Sequence, residues 1–351
     1  MNDCACNYSN VFVDSFGYEL APNVVTSEDL EIKLKGLYES LHIKTGQLEA
    51  ITGICERRFW DHGFNMFQGA AMAGKKILET SGINPLHIGM LIYAGVCRDN
   101  LEPATACAVA HKLGLPSHTQ VYDISNACLG VLNAMIHVAN AIELGQIRAG
   151  MIVSCESSRQ IVESTIERLL MEPSMDHFKK SLATLTGGSG AVALLMTDGK
   201  LSDRGHRLIG GVVANAVEHH DLCRWGPDTG IPASVPLVME TDSVGVLKHG
   251  VALGADTYRN FKKALRLSGD RPDKIICHQV GSAHQKTILE SLGISPEKDF
   301  TTYRFLGNIG TVSLPITAAI ADERGFLKQS DVVGFLGIGS GLNCIMLGLD
   351  W

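Results

Sequence analysis

Nowhere does this chain run through the roughly 18 consecutive apolar residues that a membrane-spanning helix requires. No Arg-rich or cleavable leader pattern opens it, so the expected location is the cytoplasm. No Cys-x-x-Cys pair occurs among its 10 cysteines, which argues against a zinc ribbon or a thioredoxin-type motif. Positive charge is in deficit, with Lys+Arg 30 against Asp+Glu 37 and a formal net charge of -7. That balance argues against nucleic acid or an anionic membrane as the main partner. Proline is sparse, 11 residues against 37 glycines. The ratio suits tight turns and close backbone approaches, not a disordered polymer.

What is present is apolar and patterned. The 351 residues are 45% hydrophobic and 19% charged, enough for one large domain or two. The cysteines are mostly scattered singly through apolar segments. Glu218-His219-His220-Asp221, with Cys223, resembles a metal site only on paper, because adjacent residues point in different directions. No metal is expected.

Cys128 stands out. It lies in Asp123-Ile-Ser-Asn-Ala-Cys-Leu-Gly130, after the strand-like run Gln120 to Ile124 and before a helical pattern from Leu129 to Leu144, closed by Gly145. A cysteine there meets the positive end of a helix dipole, which favours thiolate. Far downstream come His278, in Ile275-Ile-Cys-His-Gln279, and Asn308, in Leu306-Gly-Asn-Ile-Gly310.

The chain also repeats itself. Ile88 to about Ser158 and Lys274 to about Gly341 share one layout: strand, helix ending in Leu-Gly-aliphatic (Leu113-Gly-Leu115; Leu292-Gly-Ile294), second strand, polar turn, helix, apolar strand. The turn holds Cys128 in one copy and Asn308 in the other. Near-continuous aliphatic strands between helices predict a buried, largely parallel sheet in each half, and two sheets packed as layers. Ligands of open sheets bind beyond the strands' carboxyl ends, where Cys128, His278 and Asn308 all fall. Further helices are expected over Gln68 to Glu79 and Leu247 to Leu265. The polar stretch from Glu156 to Thr186 reads as a surface excursion lining an entrance.

With these residues in this order, the sequence resembles the thiolase superfamily, specifically its ketoacyl synthase III branch. The matching motifs are Thr52-Gly-Ile-Cys-Glu-Arg57, Asn126-Ala-Cys-Leu-Gly130, Gly187-Gly-Ser-Gly-Ala191, His278-Gln279, Gly307-Asn308 and Gly337-Ile-Gly-Ser-Gly-Leu-Asn343. Arg98-Asp-Asn-Leu-Glu-Pro103 and Ile338 to Cys344 are most similar to the sub-branch that joins two long-chain acyl thioesters head to head.

The resemblance implies a duplicated α/β thiolase fold, five-layered α-β-α-β-α. Residues 1–199 form a half carrying Cys128 and the excursion at about 156–186. Residues 200–351 form a half carrying His278 and Asn308. It implies Cys128 as nucleophile, His278 and Asn308 as enolate stabilisers, and Glu102 as a base reaching the partner subunit's site. The oxyanion hole would be the backbone N–H groups of Cys128 and Ser340, with Gly339 and Gly341 allowing close approach of substrate. Acyl-CoA would be substrate, no cofactor is called for, and the assembly would be a homodimer. The alternative is a decarboxylative synthase using malonyl-acyl carrier protein. Synthases of that type hold CoA with an aromatic residue and two arginines, and here Gln47, Ile51 and Ala283 stand in those places. Leu306 replaces a frequent histidine.

Overall fold

The computed structural model describes residues 4–202, 205–226 and 238–351. The chain begins with strands β1 (Cys4–Asn7), β2 (Val11–Leu20) and β3 (Asn23–Thr26), then short helices α1 (Ser27–Lys33), α2 (Lys35–Ser40) and α3 (Gln47–Thr52). Next come β4 (Glu56–Phe59), α4 (Met66–Ser81), β5 (Ile88–Ala94), α5 (Thr105–Leu113) and β6 (Gln120–Ile124). The nucleophile turn leads into α6 (Gly130–Glu143), followed by β7 (Ala149–Glu156), α7 (Arg159–Met171), α8 (Met175–Leu185) and β8 (Gly190–Asp198). After β9 (His206–Asn215) and the ribbon β10 (Cys223–Gly226) and β11 (Val238–Thr241) come α9 (Ser243–Ala264), β12 (Lys274–Cys277) and α10 (Ser282–Leu292). The chain closes with α11 (Tyr303–Leu306), α12 (Ser313–Glu323), β13 (Val332–Gly339) and β14 (Asn343–Asp350).

Alternation along the strands sorts the molecule into layers. On β8, Ala191, Ala193 and Leu195 pack with Ala70, Ala73 and Ile77 of α4. Val192, Leu194 and Met196 face the other way, into a cluster with α6, α12 and residues Val333, Phe335, Ile345 and Leu347 of β13 and β14. The opposite face of those two strands, Leu336, Cys344 and Met346, packs with Tyr258 and Phe261 of α9 and Leu289 of α10. The order is helix, sheet, helix, sheet, helix. Helix α12 is buried from Ser313 to Ala321, as a helix sandwiched between two sheets must be.

The repeat is visible in the caps. Gly114 and Gly293 both have φ +64 and end α5 and α10, with Leu115 N–H donating to Ala110 O and Ile294 N–H to Leu289 O. Gly145 and Gly325 close α6 and α12 in the same way. Only glycine takes this left-handed position without steric cost.

Three expectations need correction. The sheets are mixed: β5 is parallel to β6 and β7, and β12 to β13, but β7–β8, β8–β2, β13–β14 and β14–β9 are antiparallel. Both-face burial was read as parallel pairing, yet helices cover these antiparallel strands equally well. The sheets are also continuous, joined where Phe12 and Val13 of β2 meet Arg207 and His206 of β9. Finally, the second strand of the second copy shrinks to one bridge between Ile275 and Asp299.

The 156–186 excursion is more than solvated surface. Its helices α7 and α8 turn Val162, Ile166, Leu169, Phe178 and Leu185 into a core with Leu30, Leu34 and Leu37.

Candidate active site

Cys128 follows Ala127, whose φ of +44 is the left-handed region that a Cβ disfavours. The turn is held by Leu129 N–H donating to Asn126 O (2.9 Å) and by Val131 N–H donating to Thr311 Oγ1 (2.8 Å). Strained backbone of this kind collects at functional sites. Asn343 Nδ2 donates to both Asn126 Oδ1 and Ser340 O (3.3 Å each), tying the nucleophile turn to the turn after β13. A Cβ on Gly339 would sit 3.2 Å from the Leu129 side chain and 3.4 Å from the Cys128 nitrogen, so the end of β13 lies against the nucleophile turn.

Cys128, Asn308 and Ser340 line one cavity of about 320 Å³. Its apolar wall is Val96, Ala127, Ile161, Ala183, Trp225 and Met239. The excursion contributes Ser157, Ser158, Ile161, Ala183 and Thr184 to the lining of this cavity.

Asn308 is fixed through its backbone and its side chain. Its N–H donates to Thr186 O (2.9 Å) and its carbonyl accepts from Gly188 N–H (2.8 Å). Side-chain Oδ1 accepts from Gly310 N–H (3.0 Å), which leaves the amide Nδ2 as the group able to donate. Gly307, at φ +66, and Gly188 allow this close pairing: a Cβ would come within 2.5 Å of Thr186 O and 2.1 Å of Leu306 O respectively. Leu306 itself is buried in the central core, an apolar site where a histidine would need a polar partner.

His278 is buried and lines a separate, narrower cavity with Gln279, His284, Asp299 and Tyr303, not the cavity of Cys128 and Asn308. Burial and the neighbouring His284 hold its imidazole down to about 3, so it is neutral at pH 7. A neutral ring suits hydrogen-bond donation to an oxygen, not charge pairing.

Glu102 is exposed on the loop between β5 and α5 and does not line the Cys128 cavity of its own chain. Gly341 takes φ +135 and, unlike Gly310, is not a wall of this cavity.

Desolvation, with Cys223 and Glu156 adding to it, pushes the Cys128 thiol up to about 12, against its own backbone N–H. The residue is only partly buried, and no cation stands among the groups that act on it, so the start of α6 is what favours its thiolate.

Sequence reasoning missed Glu156, Trp225 and Met239 and dismissed Cys223, all of which line the cavity. Glu156 alone left a signal, a carboxylate ending a largely apolar strand. The rest come from the β10–β11 ribbon, whose packing against α7 and α8 no local pattern announces. Cys223 sits beside Thr241, and the His219 ring packs at a tilt against that of His249. No three His, Cys, Asp or Glu side chains converge on a metal position among the described residues.

Comparison with known proteins agrees with the layout. Residues 65–192 match the thiolase N-terminal domain, and residues 263–351 match the C-terminal domain of 3-oxoacyl-[acyl-carrier-protein] synthase III. The chain is 52% identical to the acyl-CoA:acyl-CoA alkyltransferase of Shewanella oneidensis, over 98% of this chain and 99% of that one. It is 35% identical to the enzyme of the same name from Xanthomonas campestris, again over 98% and 99%. A β-ketoacyl-[acyl-carrier-protein] synthase III from Natranaerobius thermophilus is more distant, at 26% over 95% and 97%. A cysteine-to-serine variant of Xanthomonas campestris OleA, solved with lauric acid and lauroyl-CoA bound, superposes with a TM-score of 0.92 at 35% identity, covering 98% of this chain and 100% of that one. This chain thus belongs to the thiolase superfamily, in the acyl-CoA:acyl-CoA alkyltransferase (OleA) family.

Proposed function

We propose that this protein joins two long-chain fatty acyl-CoA molecules head to head, without decarboxylation, to give a β-keto acid. The observation that carries the reading is the convergence of Cys128, Asn308 and Ser340 on one cavity with an apolar wall, in a chain of this family. Cys128 attacks the first thioester carbonyl, the CoA thiol leaves, and an acyl-enzyme remains. Backbone N–H groups of Cys128 and Ser340 receive the oxyanion, a contribution of roughly 3 to 4 kcal/mol per donor in comparable sites. A base then removes the α-proton of the second acyl-CoA. The Nδ2 of Asn308 holds the enolate oxygen; His278, whose ring lines the neighbouring cavity, is assigned as the second donor by its match to the family motif, not by convergence on the Cys128 cavity. The carbanion attacks the acyl-cysteine, the Cys128 sulfur leaves, and hydrolysis of the β-keto thioester releases the acid and CoA.

The base in this scheme is Glu102 of a second subunit, since its own chain leaves it exposed. A homodimer follows, and β6, an unpaired sheet edge immediately before the Cys128 turn, is a surface suited to pairing. No described helix is long and apolar enough to cross a membrane.

The test is to incubate the protein with one long-chain acyl-CoA and to assay the product by mass. A joined β-keto product is expected, with Glu102→Gln retaining the acyl-enzyme and losing about 100- to 10,000-fold in joining. Carbon dioxide release with malonyl-acyl carrier protein, and no joining of acyl-CoA, would move the protein to the decarboxylative branch.

A further inference from the structure

The buried carboxylate of Glu156 ends strand β7 inside the wall of the Cys128 cavity, where the reaction as described gives it nothing to do. Its two oxygens are both engaged by one segment. Val96 N–H donates to Oε1 (2.8 Å) and Cys97 N–H to Oε2 (3.0 Å). These are the first residues of the loop that carries Glu102. Tyr93 reinforces the same point, its hydroxyl lying 2.7 Å from both Cys97 O and Cys155 O, which share its one proton. Further along, Asp99 accepts from Met66 and Phe67 N–H at the start of α4, the last such anchor before Glu102 (2.6 and 2.8 Å). Glu156 also touches the Asn308 turn, since a Cβ on Gly310 would lie 3.6 Å from its carboxyl carbon.

We propose that Glu156 is a positioning residue for the joining step, clamping the root of the 95–103 loop, and through it Glu102, to the strand that walls the nucleophile's cavity. A carboxylate is suited to this because it accepts from the two adjacent N–H donors with one oxygen each, whereas an amide in the same pose would turn an NH2 toward one of them. The inference rests on the proposed function for the role of Glu102.

The clamp has an electrostatic signature that a merely structural residue would lack. The titratable groups around Cys128 and Glu156 are Cys223 on β10, Cys97 and Asp99 of the loop, Tyr93 on β5 and Cys155 on β7. Burial raises the Glu156 carboxyl itself, and none of these groups is cationic, so in its ionised form Glu156 opposes thiolate formation at Cys128 without a counter-charge.

Glu156→Gln and Glu156→Asp separate the two effects. Glu156→Gln turns an NH2 toward one backbone donor and removes the charge. It should still form the acyl-enzyme, with the pH midpoint of loading moved down, while joining falls on the order of 100-fold, as for a small misplacement of a catalytic group. Glu156→Asp keeps the charge but shortens the reach. Its loading profile should match the wild type while joining falls. Joining at the wild-type rate in either folded variant overturns the proposal, as does an equal fall in loading and joining. A wild-type protein that loads but never joins two acyl chains would instead overturn the functional reading.

Discussion

At the scale of single residues, the carboxyl of Asp299 shows how burial sets chemistry beside His278. Its Oδ2 accepts from Gln285 Nε2 at 2.8 Å, and Gln285 Oε1 accepts from the Tyr303 hydroxyl at 3.0 Å. Desolvation raises its ionisation from 3.8 to about 7, more than these donors offset. Folding thus favours the protonated acid. That contribution is fully present below the unfolded value and is lost as pH rises through about 7. Asp299→Asn keeps an acceptor for Gln285 and cannot ionise. It should gain on the wild type by about 1.4 kcal/mol per pH unit across this window and hold a constant lead above it. Urea unfolding of both proteins from pH 4 to pH 8 reads this directly, and a lead independent of pH would refute it.

Residues were legible where their chemistry was local. Cys128 and Asn308 share the cavity because each sits in a polar turn between a strand and a buried helix. His278 ends a strand just as clearly, yet its ring opens on the neighbouring cavity, since direction depends on packing against α10 and α11. Glu156 was hidden for a related reason: only the fold brings the 96–97 backbone under its oxygens.

Among the elements, the Gly187-Gly188 segment and the Asn308 turn depend on one another. Gly188→Ala would place a Cβ 2.1 Å from Leu306 O, so one main chain must move and the Gly188–Asn308 hydrogen bond must break. The expected cost in stability is about 1–3 kcal/mol, typical of overpacking. The activity cost should be larger, on the order of 100-fold in joining, because Asn308 shifts. Thermal melting and single-turnover joining together decide it, and a destabilised variant with full activity would show that the turn tolerates displacement. Helices were read well because apolar periodicity and closing glycines mark them: α4 spans Met66–Ser81 and α9 Ser243–Ala264, close to the expected ranges. Strand direction was not legible. Burial on both faces looks the same whether neighbours run parallel or antiparallel.

For the whole molecule, the repeat was enough to anticipate two sheets with helices between and outside them, and caps with matching glycines bear out that duplication. The proposed function calls for a second subunit that supplies Glu102. Inactive Cys128→Ala and inactive Glu102→Ala proteins, mixed and allowed to exchange subunits, should regain activity, because each heterodimer holds one intact site. A fully active monomer in sedimentation would contradict this arrangement.

The placement of β1 has a consequence in time. Cys4 to Asn7 pair with Gly210 to Val213 of β9, whereas β2, the next strand, belongs beside β8. During synthesis at about 5–20 residues per second, the first strand therefore waits roughly ten to forty seconds for its neighbour to leave the ribosome. On the inner face of the first sheet α6 is in place early, but the area that α12 covers waits longer still, because α12 is made near the end of the chain. A nascent first half with that apolar area bare is the species most in need of protection by chaperones.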